Sequence, residues 1–300
     1  MSITCHLLSP RGYCSGVSRA VNMANQVAKL YGTFYATEDI VHNKTFTKQL
    51  EQKGMKKVDS IDDIPDGSTV MFSAHGISPQ IAKKAENKEL TIIDATCPVV
   101  KSIQNDAKEC AEHGKTIIII GNKAHAEIVA LTGYVNNAKF YVVYNENEID
   151  LLPDLNETEV VYFSQTTLDN LFVDEIIEKL KSKFPKIKAG SNSGVCYATK
   201  ERQNVVRAIA SSVDLIVVVG SIHSSNAKRL VEVALNSGAK NAVLVDSKNE
   251  FNDNWMNEVK SIAITSAAST SEDLVQELLE YLKNKFEIEI REFQLQNEKN

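Results

Sequence analysis

Three segments of this 300-residue chain begin alike, and that repeat limits the fold more than any other feature. Each starts with a cysteine and runs into an amphipathic stretch of helical character: Cys14-SGVSRAVNMANQVAKLYG, Cys97-PVVKSIQNDAKECAEHG and Cys196-YATKERQNVVRAIASSVD. Pro98 follows its cysteine, where a first helical turn favours proline. Gly32 and Gly114 close the first two stretches as C-terminal caps do. A β-rich run comes next in each copy: TFYATEDI, KTIIIIGN and LIVVVGS. A polar residue then recurs in step. His42 lies 28 residues after Cys14, His125 28 after Cys97, and Ser224 28 after Cys196.

The copies continue in register. Each has a further helical stretch, then a strand ending in polar residues (KKVDS, YVVYN, VLVDS). Another such strand follows (VMFSAHG, VVYFSQTT, SIAITSAAS), and then a closing helix. Apolar runs without alternation are the mark of strands buried on both faces, as in parallel sheets. Strands alternating with helices imply right-handed crossovers. The expected fold is therefore α/β, with three pseudo-symmetric βα lobes and mainly parallel sheets. The expected lobes are 15–97, 98–196 and 197–285, with 1–14 completing the third sheet and 286–300 forming a C-terminal tail. Within that tail EIEIREF reads as a short strand, after which QLQNEKN frays. Thr270 to Asp273 reads as a capping box at the start of the last helix. Leu274, Leu278 and Leu282 line one face of that helix. Ligands of such sheets collect beyond the carboxyl ends of the strands, where the repeated polar residues fall.

Composition removes several function classes. The net charge is −6 with no basic block, which disfavours nucleic acid as a partner. No apolar run reaches the length of a membrane span. The N-terminus lacks a basic segment followed by an apolar one, so a cytoplasmic location is expected. Five cysteines without close pairing suit reduced thiols better than disulfides. Cys5, in an apolar strand, and Cys110, on a helical stripe, read as small core residues. Cys14, Cys97 and Cys196 differ because each occupies the same strand-to-helix junction, where a helix N-terminus favours thiolate and cluster charge. Three thiolates converging on one point suit zinc with an open position, or a 4Fe–4S cluster with one iron lacking a protein ligand. Spacing does not choose between them.

His42, His75 and His125 all fall at strand ends. Ser224, Ser225 and Asn226 open a helix, where such residues usually serve as caps. Free N–H groups there also favour phosphate. Glu127 reads either as a first-turn acid or as a proton donor beside a metal. Thr166 is either a strand-end residue or one that orients a hydroxyl.

At these residues the chain resembles the 4-hydroxy-3-methylbut-2-enyl diphosphate reductase (LytB-type) family. PRGYCSGV, VHNK, FSAHG, DATCP, HAE, SQTTL, VCYAT, SSN and AAS carry the likeness in order, along nearly the whole chain. The resemblance implies a 4Fe–4S cluster on Cys14, Cys97 and Cys196, with an open iron for the substrate hydroxyl. It implies a diphosphate pocket of His42, His75, Ser224, Ser225, Asn226 and Ser269. His125 and Thr166 would contact substrate, and Glu127 would relay protons. It also implies isopentenyl and dimethylallyl diphosphate as products in the last step of the non-mevalonate isoprenoid pathway. A ferredoxin or flavodoxin would donate electrons to a monomeric enzyme. The chain departs from the family at His223 (usually Asn), Ala126 (usually Pro) and Ala267 (often Gly), none a predicted ligand. Two rivals share the three cysteines: a zinc-dependent hydrolase and a non-catalytic sensor.

Overall fold

Apolar runs and amphipathic stretches become strands and helices in the order the repeat requires. The computed structural model describes residues 2–155 and 158–295. The chain opens with β1 (Ile3–Ser9), α1 (Ser15–Tyr31), β2 (Phe34–Ala36), α2 (Lys44–Gln52), β3 (Met55–Lys57), β4 (Thr69–Phe72), α3 (Pro79–Asn87) and β5 (Thr91–Asp94). The second copy holds α4 (Pro98–Glu112), β6 (Thr116–Ile120), α5 (Ala126–Tyr134), β7 (Phe140–Val143), α6 (Glu146–Asp150), β8 (Val160–Ser164), α7 (Asn170–Lys183) and β9 (Lys188–Ala189). The third holds α8 (Tyr197–Ile209), β10 (Leu215–Val219), α9 (Ser225–Asn236), β11 (Ala242–Val245), β12 (Ser261–Ser266), α10 (Glu272–Lys285) and β13 (Ile288–Gln294).

Three sheets result, ordered β3-β2-β4-β5, β7-β6-β8-β9 and β11-β10-β12-β1-β13. The pairings among the described strands are parallel. The α/β fold with parallel sheets read from the repeat is thus present, with three sheets. β1 holds the place that β5 and β9 hold in the other sheets. In all three cases the next element is a helix preceded directly by a cysteine.

The continuous apolar strands are explained by their two buried faces. In β6, Ile118 and Ile120 pack toward Leu168, Ile176 and Leu180, whereas Ile117 and Ile119 pack toward Ile103, Ile128 and Phe163. In β10, Leu215, Val217 and Val219 join Leu274, Leu278 and Leu282, while Ile216 and Val218 join Val206 and Leu230. Fully burying one such side chain contributes roughly 1.5–3 kcal/mol.

One expectation needs correction. Thr270 is not the first residue of a capping box. Its hydroxyl is buried and donates to the Val219 carbonyl at 3.0 Å, so it is spent on the sheet. Ser271 is the N-cap of α10 and makes no side-chain cap bond. The short strand expected in the C-terminal segment is present as β13, the edge strand beside β1. The fraying expected at the end of the chain lies, for 296–300, outside the described residues.

The described residues form two compact units. One contains the five-stranded sheet, with the N-terminal strand through Ser15, His42–Lys44 and the chain from Tyr197 onward. The other contains both four-stranded sheets, in Gly16–Val41 and Thr45–Cys196. Among the described residues no helix is long and apolar enough to cross a membrane.

Candidate active site

The three repeat cysteines sit in one local setting, reproduced three times. The Cys14 N–H donates to Ala268, the Cys97 N–H to Ala74 and the Cys196 N–H to Thr166, each at 3.0 Å. Each acceptor lies two residues past the third strand of its sheet, and each cysteine opens a helix. All three thiols are partly exposed, whereas Cys5 and Cys110 are buried. Burial pushes the Cys5 thiol up to about 12, and its small opposing influence is Lys283. That places Cys5 and Cys110 in the core, as expected.

In the unit with two sheets, the Cys97 thiol rests on the first turn of α1. A Cβ built on Gly16 would come within 2.5 Å of Cys97 Sγ, so a side chain at 16 would occupy the thiol's space. Cys196 is linked through backbone to Thr166, and Thr166 to Glu127. The Thr166 N–H donates to Glu127 Oε1 at 2.9 Å, and its hydroxyl donates to Oε2 at 2.7 Å. Glu127 is 3% exposed. Burial pushes its carboxyl up, against the opposing pull of the Thr166 donors and of His75. A buried acid raised in this way keeps its proton nearer to neutral pH and is suited to donating it.

His125 is the N-cap of α5, and its Nδ1 accepts from the Glu127 N–H at 3.2 Å. Nδ1 must then be bare, leaving the proton on Nε2. Burial, assisted by His75, pushes His125 down to about 4. The two rings meet edge to face with centroids 5.9 Å apart. His75 Nδ1 is 3.1 Å from Ser73 Oγ and 3.6 Å from Glu38 Oε2. The sign of the His125 shift predicts its effect on stability. A folded-state value of about 4 against 6.5 means that the contribution is fully present above 6.5 and is lost as pH falls toward 4. His125→Gln should therefore flatten the fall in melting temperature between pH 7 and pH 4.5 relative to the parent. An equally steep fall would show that another group carries it.

In the unit with the five-stranded sheet, a second constellation forms. Ser224 caps α9, accepting from the Ala227 N–H at 3.3 Å. The Ser269 hydroxyl donates to the His42 carbonyl at 3.1 Å and lies 3.5 Å from Ser224 Oγ. Asn43, not singled out from sequence, is buried and donates to the Ser269 carbonyl at 3.0 Å. Asn226 is 4% exposed, and neither its Nδ2 nor its Oδ1 has a hydrogen-bond partner. Leaving such a group unsatisfied costs about 1–3 kcal/mol, which a polar ligand would offset. Ser225 follows in the first turn of α9. His223 is exposed, so His223→Asn should keep activity within about twofold, as surface substitutions do. Abolished turnover in a folded variant would contradict this.

The predicted residues therefore fall into two groups. Cys97, Cys196, His75, His125, Glu127 and Thr166 lie in one unit. Cys14, His42, Ser224, Ser225, Asn226 and Ser269 lie in the other. Among the described residues, no three His, Cys, Asp or Glu side chains are grouped as ligands of a single metal ion.

The pattern of the LytB protein family matches residues 5–283. The chain belongs to that family. A curated relative from Acidothermus cellulolyticus, a 4-hydroxy-3-methylbut-2-enyl diphosphate reductase, is 40% identical over 277 residues, covering 92% of this chain and 81% of the relative. A reductase of the same name from Cutibacterium acnes is 39% identical over 281 residues, covering 93% and 87%. The solved structure of the E-1-hydroxy-2-methyl-but-2-enyl-4-diphosphate reductase from Plasmodium falciparum superposes with a TM-score of 0.93 at 35% identity, over 99% of this chain and 94% of that one. A second solved reductase, described as the terminal enzyme of the non-mevalonate pathway, gives 0.67 at 26% identity over 94% and 99%. In this LytB protein His42 and His125, expected at strand ends, lie at helix starts instead, His42 two residues before α2 and His125 as the N-cap of α5.

Proposed function

We propose that this LytB protein is an oxidoreductase that converts 4-hydroxy-3-methylbut-2-enyl diphosphate to isopentenyl and dimethylallyl diphosphate. The observation that carries this is the match to named reductases over more than nine-tenths of the chain. Cys14, Cys97 and Cys196 together hold one 4Fe–4S cluster. Their fit to it is supported by three partly exposed thiols in identical junctions, and by the space left for Cys97 Sγ by Gly16. When bound, the cluster supplies electrons one at a time and an iron able to act as a Lewis acid.

The chain's own residues bind, orient and protonate. The diphosphate takes hydrogen bonds from Ser224, Ser225 and Ser269 and from the Asn226 amide, with His42 and His75 supplying further donors. Anchoring this end fixes the hydroxyl at the other. The His125 Nε2–H and the Thr166 hydroxyl face the substrate. Glu127 supplies the proton for the departing oxygen: once Oε2 is protonated the bond to Thr166 reverses, and the hydroxyl 2.7 Å away accepts from Oε2 and passes its own proton on. Overall, two electrons and two protons enter, the carbon–oxygen bond breaks, and water leaves. The electron donor is a ferredoxin or flavodoxin. The protein works as a monomer in the cytoplasm, where thiols stay reduced.

Metal and sulfide analysis of anaerobically purified protein tests the cluster. About four irons and four sulfides per chain are expected. One zinc and no sulfide would support the hydrolase instead. The orphaned amide gives a separate expectation. Asn226→Ala should weaken binding of the allylic diphosphate about tenfold while leaving the melting temperature unchanged or higher, because a buried unsatisfied group is removed. A lower melting temperature with unchanged KM would make Asn226 purely structural.

A further inference from the structure

Each cysteine-bearing helix also braces the segment leading into another cysteine. In the two-sheet unit, Arg19 of α1 donates from Nη1 to the Thr96 carbonyl, one residue before Cys97, at 3.1 Å. Asp106 of α4 accepts from the Asn192 N–H, four residues before Cys196, at 3.0 Å. In the five-stranded unit, Arg202 of α8 donates from Nη2 to the Gly12 carbonyl, two residues before Cys14, at 2.8 Å. Its Nη1 donates to Ala198 in the first turn of its own helix, also at 2.8 Å.

Arg202 stands apart because it is buried, at 3% exposure, whereas Arg19 is exposed. Burying a guanidinium carries a large desolvation cost, so its position calls for a use. Its target is held from every side. The Gly12 N–H donates to Ser266 Oγ at 2.8 Å, its carbonyl accepts from Arg202 Nη2, and the Cys14 N–H donates to the Ala268 carbonyl. Gly12 has φ +74°, a conformation that glycine adopts without strain. The loop that presents Cys14 is thereby fixed before anything binds, with a permanent positive charge against its backbone. In a low-dielectric interior such a charge acts strongly on its neighbours. Adding an electron makes an iron–sulfur centre more negative, so a fixed cation nearby favours the reduced form.

Building on the cluster assignment above, we propose that Arg202 is a positioning residue. It locks the Gly12–Cys14 loop and raises the reduction potential of the group that Cys14 helps to hold. The test uses the full chain with Arg202→Gln and Arg202→Lys. In cluster-free protein, Arg202→Gln should raise amide hydrogen exchange around Cys14 about tenfold, while exchange around Cys97 stays unchanged. In cluster-loaded protein, its midpoint potential should fall below the parent's, measured by anaerobic dye titration. Arg202→Lys keeps the charge but loses the fork. It should loosen the loop and leave the potential close to that of the parent. Unchanged exchange and potential in Arg202→Gln would overturn the proposal. So would unchanged loop exchange in Arg202→Lys, which decides the matter if the glutamine variant does not fold. A parent protein that takes up no iron would instead overturn the cluster assignment, and the exchange arm would still judge the brace.

Discussion

Replacing Glu127 by glutamine is expected to lower turnover about 10²–10⁴-fold, the range supplied by a positioned general acid. The fold should be unaffected. A glutamine side chain is the same size, and its carbonyl oxygen still accepts from the Thr166 N–H that now bonds Glu127 Oε1. What it loses is the titratable proton. KM for the diphosphate should change little, because the diphosphate donors are other residues. Burial adds a pH signature. With the Glu127 carboxyl raised, its protonated form persists to higher pH than an exposed glutamate's. Turnover of the parent should therefore fall as pH rises through that titration, and the glutamine variant should lack that limb. Thr166→Val, which deletes the hydroxyl donated to Oε2, should act in the same direction with a smaller effect. Full activity in Glu127→Gln would assign proton delivery to another group.

The other large effect is expected at the cysteines. Cys14→Ser, Cys97→Ser and Cys196→Ser should each lose most bound iron and nearly all turnover, because a hydroxyl is a poor replacement for thiolate at an iron–sulfur centre. Cys5→Ala and Cys110→Ala provide the contrast. Both residues are buried in the core, and both variants should retain iron and activity. The equivalence of the three junctions makes the expectation symmetric: no one of the three serine variants should be spared. One that kept full iron and full turnover would remove its cysteine from the set.

The spacing of the sequence carried much of this fold. The cysteine-led repeat placed the strands, and the unbroken apolar runs of β6 and β10 announced sheets buried on both faces. It also indicated that β1, though first in the chain, would pair with the last repeat, because it too leads into a cysteine. The capping box misled because Thr270 satisfies the local pattern while its hydroxyl is claimed by Val219, 51 residues away. Local patterns cannot report such competition.

The candidate residues were legible as types in repeated positions, but their couplings were not. Glu127 and Thr166 are 39 residues apart in sequence, and only the pairing of β6 with β8 sets a register in which they meet. The same holds for Asn43, which was passed over beside His42 although its side chain is the one that reaches Ser269. Arg202 and Gly12 are separated by 190 positions. Nothing in α8 marks that arginine as buried, because long charged side chains usually keep their heads in water. The unpartnered state of Asn226 is likewise a property of packing.

The most direct test is an anaerobic assay of iron-loaded protein with 4-hydroxy-3-methylbut-2-enyl diphosphate and a reduced dye. The expected result is consumption of two electrons per substrate, with isopentenyl and dimethylallyl diphosphate appearing together. A brown, fully loaded protein that leaves the allylic diphosphate unchanged would contradict the assignment.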